Sequence, residues 1–208
     1  MSTRIHYFYH HLKQKICKLF TVRIPGFIGV EIAVLLLIIT ICATVAMNVL
    51  NPCLEQAKKE NIASQIICYA SAINIFVQTY GDIPGSLKDA SQKLCKEVES
   101  GNGAHKIDTD QLSQLAWTHL TASGLVSYKK NEFGVPASEF NSYVYIKSDF
   151  NGTNGLWLVI CGPKESPILD CKIAASLRGL LDNSSEDKNY TICGEAKDGK
   201  CTFAYRVC

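Results

Sequence analysis

The chain has 208 residues, of which 47% are apolar, and carries 21 basic against 19 acidic side chains, a total charge of +2. That length allows one modest soluble domain beside a membrane segment. Residues 1 to 26 hold Arg4, Lys13, Lys15, Lys18 and Arg23 with no acid, so this stretch is +5 and the remainder −3. A mildly acidic remainder argues against generic nucleic-acid binding, which needs basic surface for phosphates.

The basic leader contains Ile5-His6-Tyr7-Phe8-Tyr9-His10-His11. Clustered histidines suggest metal ligation, but basic and aromatic residues ahead of an apolar stretch are also what a membrane interface favours. From Arg23 to Leu50 the chain reads RIPGFIGVEIAVLLLIITICATVAMNVL, apolar after Gly26 except for Glu31. This exceeds the roughly 20 residues that cross a hydrocarbon core as a helix. Positive flanking charge keeps the leader cytoplasmic and sends the following residues outward. A carboxylate inside such a segment costs several kcal/mol, about 3 on insertion scales, and marks a function with a specific partner.

The basic leader, Gly26-Phe27, Glu31 as the fifth residue counted from Phe27, and the aliphatic helix after it resemble the amino-terminal signal of type IV pilins and type II secretion pseudopilins. The resemblance implies cutting after Gly26 by a prepilin peptidase, N-methylation of Phe27, and pairing of the new ammonium with Glu31 of a neighbouring subunit. It departs from the family in having Ile28 and Gly29 where threonine and leucine are common, and Pro25 before the glycine. On this reading the chain is a structural subunit lifted from a bacterial inner membrane into a pilus or pseudopilus with other pilin subunits. An assembly ATPase and an inner-membrane platform protein would be its partners. Minor and major roles stay open, the cysteine density leaning toward a specialised subunit.

Ten cysteines are many for this length. Cys17 falls in the leader and Cys42 in the span. Cys53, Cys68, Cys95, Cys161, Cys171, Cys193, Cys201 and Cys208 fall on the outer side, where an even number in an oxidising compartment predicts disulfides of undeducible connectivity. Zinc is disfavoured: no Cys-x-x-Cys pair occurs, and beyond the leader the histidines are His105 and His119.

After the span, Asn51-Pro52 can kink a long helix. The helical pattern resumes from Cys53 to Tyr80, with Leu54, Ala57, Ile62, Ile66, Ala70, Ile73 and Val77 forming one stripe, the spine of a head domain. Gly81-Asp82-Ile83-Pro84-Gly85-Ser86 is a dense turn signal that ends it, and it is similar to the head-domain start of some pilin-like proteins. Residues 86 to 99 are expected to be helical, and Ser100 to Asp108 a surface loop. Asp110 to Ser123 reads as a helix with an Asp or Thr cap, closed by Gly124. Trp117 at helical spacing among leucines reads as core rather than a binding platform, and His119 as a surface or satisfied histidine.

From Ser142 the period changes to that of strands. Tyr143 to Ile146 and Leu156 to Cys161 predict a hairpin around a long glycine-rich loop, Asp149 to Gly155. The loop has oxygen ligands without the acidic spacing of a calcium loop. Ile168 to Leu181 reads as an amphipathic helix, Asp182 to Asn189 as a polar loop, and Tyr190 to Cys193 with Thr202 to Val207 as a second hairpin turning at Lys197-Asp198-Gly199-Lys200. A carboxyl-terminal cysteine loop resembles the disulfide-closed region of pilin heads.

The expected fold is therefore α+β: a long hydrophobic amino-terminal helix, membrane span plus amphipathic spine, packed on a small disulfide-bonded head with an antiparallel sheet. The segments are a cleaved leader 1–26, a span 27–50, a spine 51–80 and a head 81–208. No nucleophile elbow, phosphate-cradling loop or dinucleotide fingerprint is present, so no enzymatic activity or cofactor is predicted. The alternative is an uncleaved single-pass protein with a disulfide-bonded binding domain, for which sequons at Asn151, Asn183 and Asn189 would suit a secretory route. A third is a secreted protein cut after Ala46.

Overall fold

The computed structural model describes residues 26–94, 97–129, 131–163, 166–182 and 191–207. The leader, Cys17, Cys95, Cys208, Asn183 and Asn189 lie outside them. The chain divides into two units, Met1–Cys53 and Leu54–Cys208. One helix, α1 (Gly26–Tyr80), carries Pro52 inside it. Its apolar first part is exposed throughout from Gly29 to Leu50, and it is long and apolar enough to cross a membrane.

In the second unit α1 becomes amphipathic. Ile62, Ile66, Ile73 and Phe76 are fully buried, whereas Leu54 is 58% exposed, so the core stripe begins two turns later than the periodicity implied. Gly81, at φ 72°, donates its N–H to the Val77 carbonyl and closes the helix.

Among the described residues of the stretch predicted as a helix over 86–99, one turn is helical, α2 (Ala90–Lys93). Tertiary contacts outcompete helix propensity here: the Gly101 and Gly103 N–H groups bind the Leu87 and Ser86 carbonyls, and Ser86 and Leu87 are buried. The following loop is not only surface, because Ile107 is fully buried. Helix α3 (Asp110–Ala122) starts at Thr109, whose hydroxyl accepts from the Leu112 N–H at 3.2 Å, and ends before Gly124 at φ 74°.

The sheet is antiparallel, with β1 (Tyr143–Phe150), β2 (Thr153–Cys161), β3 (Leu169–Asp170), β4 (Thr191–Lys197) and β5 (Lys200–Arg206). Strand β5 is central: β2 and, beyond it, β3 pair along it, and β4 pairs over residues that also face β2, so it takes the other edge. Both hairpins turn on two residues in the left-handed region, Asn151-Gly152 and Asp198-Gly199, the type I′ chemistry that matches strand twist. The first hairpin is thus longer and tighter than expected, with Asp149, Phe150 and Thr153 to Gly155 absorbed into the strands on either side of Asn151-Gly152. Helix α4 (Cys171–Asp182) begins later than predicted, because Leu169 and Asp170 pair with Cys201 and Lys200. Asp170 Oδ1 then accepts the Lys172 N–H at 2.8 Å and starts the helix.

Strand β1 lies at a sheet edge, yet four of its outward backbone groups have partners. Val144 donates to the Pro136 carbonyl and accepts from Trp117 Nε1 at 3.0 Å; Ile146 donates to Ser113 Oγ at 2.9 Å; Ser148 donates to the Ile107 carbonyl. Side chains of α3 therefore cap the strand that would otherwise template foreign β-pairing.

Candidate functional site

Gly26 and Phe27 are the first residues of α1. Glu31 follows, exposed, and no other Asp, Glu, Lys or Arg occurs between it and Glu55. A lone carboxylate on an apolar helix of membrane-spanning length has to find either water or a cation, since hydrocarbon solvates it poorly. The chemical capacity of this carboxylate is charge pairing. Among the described residues no group of three or more metal-ligating side chains occurs.

Eight cysteines beyond the span, six of them in the head, are candidates for bridging. Cys171 is joined to Cys201, with Cα atoms 5.2 Å apart, a bond that ties the start of α4 to β5. Cys53 and Cys68 are exposed and unbridged, and Cys193 is unbridged at intermediate burial. Fifteen residues of helix separate Cys53 from Cys68, about 22 Å of rise, which no intramolecular disulfide can span. Burial raises the Cys193 thiol pKa, so this side chain stays protonated and is a poor nucleophile. Cys161 is buried at the end of β2.

The best-ordered polar constellation surrounds His119. The ring is fully buried, stacked against Phe76 with centroids 6.3 Å apart. Its Nδ1 accepts the Gly85 N–H at 3.0 Å, and Nε2 lies 2.8 Å from the Glu99 carbonyl, to which it donates. That pattern demands the neutral Nε2–H tautomer. Burial pushes its pKa below the ordinary histidine value despite the Glu99 carbonyl and the negative charges of Asp82 and Glu99. His119 is thus the satisfied histidine of the sequence reading, and Trp117, fully buried with Tyr69 edge-on at 4.9 Å, is core.

Around His119 the two loops interlock. Gly85 sits at φ 88° with the Leu112 carbonyl 2.6 Å from where a Cβ would stand, and a Cβ on Gly101 would collide with the Gly85 carbonyl and Ser86 backbone. Ser86 Oγ accepts the His105 N–H at 2.7 Å, and His105 Nδ1 meets Asp82 Oδ1 at 2.8 Å. The loop so held forms one wall of an open groove of about 750 Å³, with Gln111, Gln114, Leu112 and Leu115 of α3 opposite Glu97 and Glu99. Two carboxylates, two leucines and neutral polar groups line it, a mixture that selects no ligand class.

In the loop weighed for calcium, the Asp149 carboxylate pairs with Lys106 Nζ at 3.0 Å, and this contact raises the lysine pKa. The residues that sequence reasoning missed are Gly85, Gly101 and Ser113, whose roles depend on partners 14 to 34 positions away. The chain matches no protein-family profile, no curated protein and no solved structure.

Proposed function

We propose that the chain is a prepilin-like structural subunit, cut after Gly26 and assembled through α1 into a type IV pilus or pseudopilus. The observation that carries this reading is Glu31 as the sole charged residue between Gly26 and Leu54 of a helix of spanning length, the fifth residue of the segment that begins at Phe27. Cleavage creates an ammonium at Phe27, and two charges that are each costly in an apolar helix bundle become tolerable when paired. Apolar residues that leave lipid for a bundle of like helices remain out of water, so the transfer need not expose them. The partners are a prepilin peptidase, further pilin subunits, an assembly ATPase and a platform protein of a bacterial inner membrane. The Cys171–Cys201 disulfide supports a head in an oxidising compartment.

Mass spectrometry of the mature amino terminus from native envelopes tests it. N-methyl-Phe27 is expected; an intact leader would replace the proposal with a single-pass ectodomain, and Met47 with a secreted protein. Glu31→Ala is expected to be processed normally while fibre yield falls at least tenfold; undiminished fibres would remove Glu31 from its role.

A further inference from the structure

Three Asn-x-Ser/Thr triplets, at Asn151, Asn183 and Asn189, play no part in filament assembly as proposed. The chain has four asparagines up to residue 80 and seven after it; none of the four starts such a triplet and three of the seven do, so the motif is confined to the head. Of the three, Asn151 lies within the described residues. Asn151 and Gly152 form the left-handed tip between β1 and β2, and residues 151–154 are all exposed. Turn chemistry accounts for Asn151 and Gly152, but it makes no demand on residue 153. Thr153 is held by its backbone: its carbonyl accepts from Trp157 Nε1 at 3.1 Å, and it pairs with Phe150. Among the described residues no hydrogen bond takes up the Asn151 amide or the Thr153 hydroxyl. Toward β4 the amide meets a glycine. A Cβ built on Gly194 would stand 3.6 Å from Asn151 Nδ2, so residue 194 puts no side chain against it.

We infer that Asn151 is an acceptor of N-linked oligosaccharide, attached at the exposed tip of the first hairpin. The triplet is the acceptor sequence of that transfer, and a surface turn of an exported domain is where it is used. A carboxamide nitrogen is a weak nucleophile because its lone pair is shared with the carbonyl. The donor must therefore be strongly activated: an oligosaccharide carried on a polyprenyl diphosphate. Asn151 Nδ2 attacks C1 of the first sugar and gives up one of its two protons. The bond from C1 to the diphosphate oxygen breaks, and the lipid diphosphate leaves with the electron pair. No oxidant or reductant enters. The Thr153 hydroxyl is the group the transferase reads, which is why it is left free of the fold. At the tip the added sugar stays in solvent and displaces no core side chain. The inference rests on the outward head that the pilin and the anchored-ectodomain readings share, and not on leader cleavage.

The test is mass spectrometry of the chain purified from its native envelopes. Trypsin releases Ser148–Lys164, a peptide in which Asn151 starts the one such triplet. It is expected to carry the mass of a sugar chain, with sugar fragment ions. Asn151→Asp keeps a residue suited to the left-handed turn but has no amide nitrogen, and Thr153→Val keeps the β-branched shape without the hydroxyl. Each is expected to lower glycopeptide yield at least tenfold. Thr153→Ser, which retains a hydroxyl, is expected to stay modified. An unmodified peptide, one altered only by deamidation at Asn151-Gly152, a glycan that persists in Asn151→Asp or Thr153→Val, or one lost from Thr153→Ser as fully as from Thr153→Val each overturns the inference. The mature amino terminus read on the same sample keeps the two ideas apart. N-methyl-Phe27 with a bare Asn151 keeps the pilin reading and removes this one; a glycosylated Asn151 with an intact leader does the reverse.

Discussion

Replacing His119 by phenylalanine should destabilise the head by about 3 kcal/mol. The ring would still fill its place against Phe76, so packing changes little, but two backbone groups lose their partners. The Gly85 N–H is buried, and an unpaired buried donor costs about 1–3 kcal/mol; the Glu99 carbonyl belongs to an exposed residue and recovers part of its loss from water, adding about 1 kcal/mol. Urea unfolding of the full-length chain in a mild detergent, followed by fluorescence of the buried Trp117 and Trp157, measures the difference. A loss below about 1 kcal/mol would refute the claim that His119 holds the two loops together. A pH series gives a second readout. Because burial lowers the His119 pKa in the fold, its contribution is complete above the unfolded value near 6.5 and declines as pH falls below that value toward the lower folded pKa. Protonation would also point an N–H at the Gly85 N–H. The wild type should therefore lose stability between about pH 7 and pH 5 more steeply than the phenylalanine variant; parallel slopes would contradict the neutral tautomer.

Three other substitutions probe the frame. Gly85→Ala combines a left-handed backbone with a Cβ driven onto the Leu112 carbonyl, and should cost about 2–4 kcal/mol in the same urea assay, against under about 1 kcal/mol for Gly179→Ala, which meets open space on α4. Cys171→Ser opens a loop of 30 residues, for which chain entropy predicts a loss of about 3–4 kcal/mol, visible as a lowered urea midpoint that reducing agent does not lower further. Ser113→Ala leaves the Ile146 N–H on the outer edge of β1 unpaired and should cost about 1–3 kcal/mol; hydrogen exchange at Ile146 should quicken while Val159, within the β1–β2 pairing, stays protected.

What could be read from the residues alone was whatever depends on neighbours in the chain. The apolar run after Gly26, the isolated Glu31, the close of the spine at Gly81, the Thr109 cap and the Asp198-Gly199 turn all rest on local hydrophobicity, capping or φ preference, and each stands in the structure where the sequence put it. Asn151-Gly152 was equally visible as a turn, but its loop was drawn too long, because polar residues such as Thr153 and Asn154 join a strand once the partner strand is in register. The residues from Ser86 to Glu99 have a helical pattern, yet among those described only Ala90–Lys93 wind; glycines at 101 and 103 offer their N–H groups to carbonyls a helix would need. The Cys171–Cys201 bond, the neutral buried state of His119 and the capping of β1 by Ser113 and Trp117 join residues far apart in sequence. Such pairings are set by which surfaces bury each other, and periodicity within a segment carries no information about the segment it will meet.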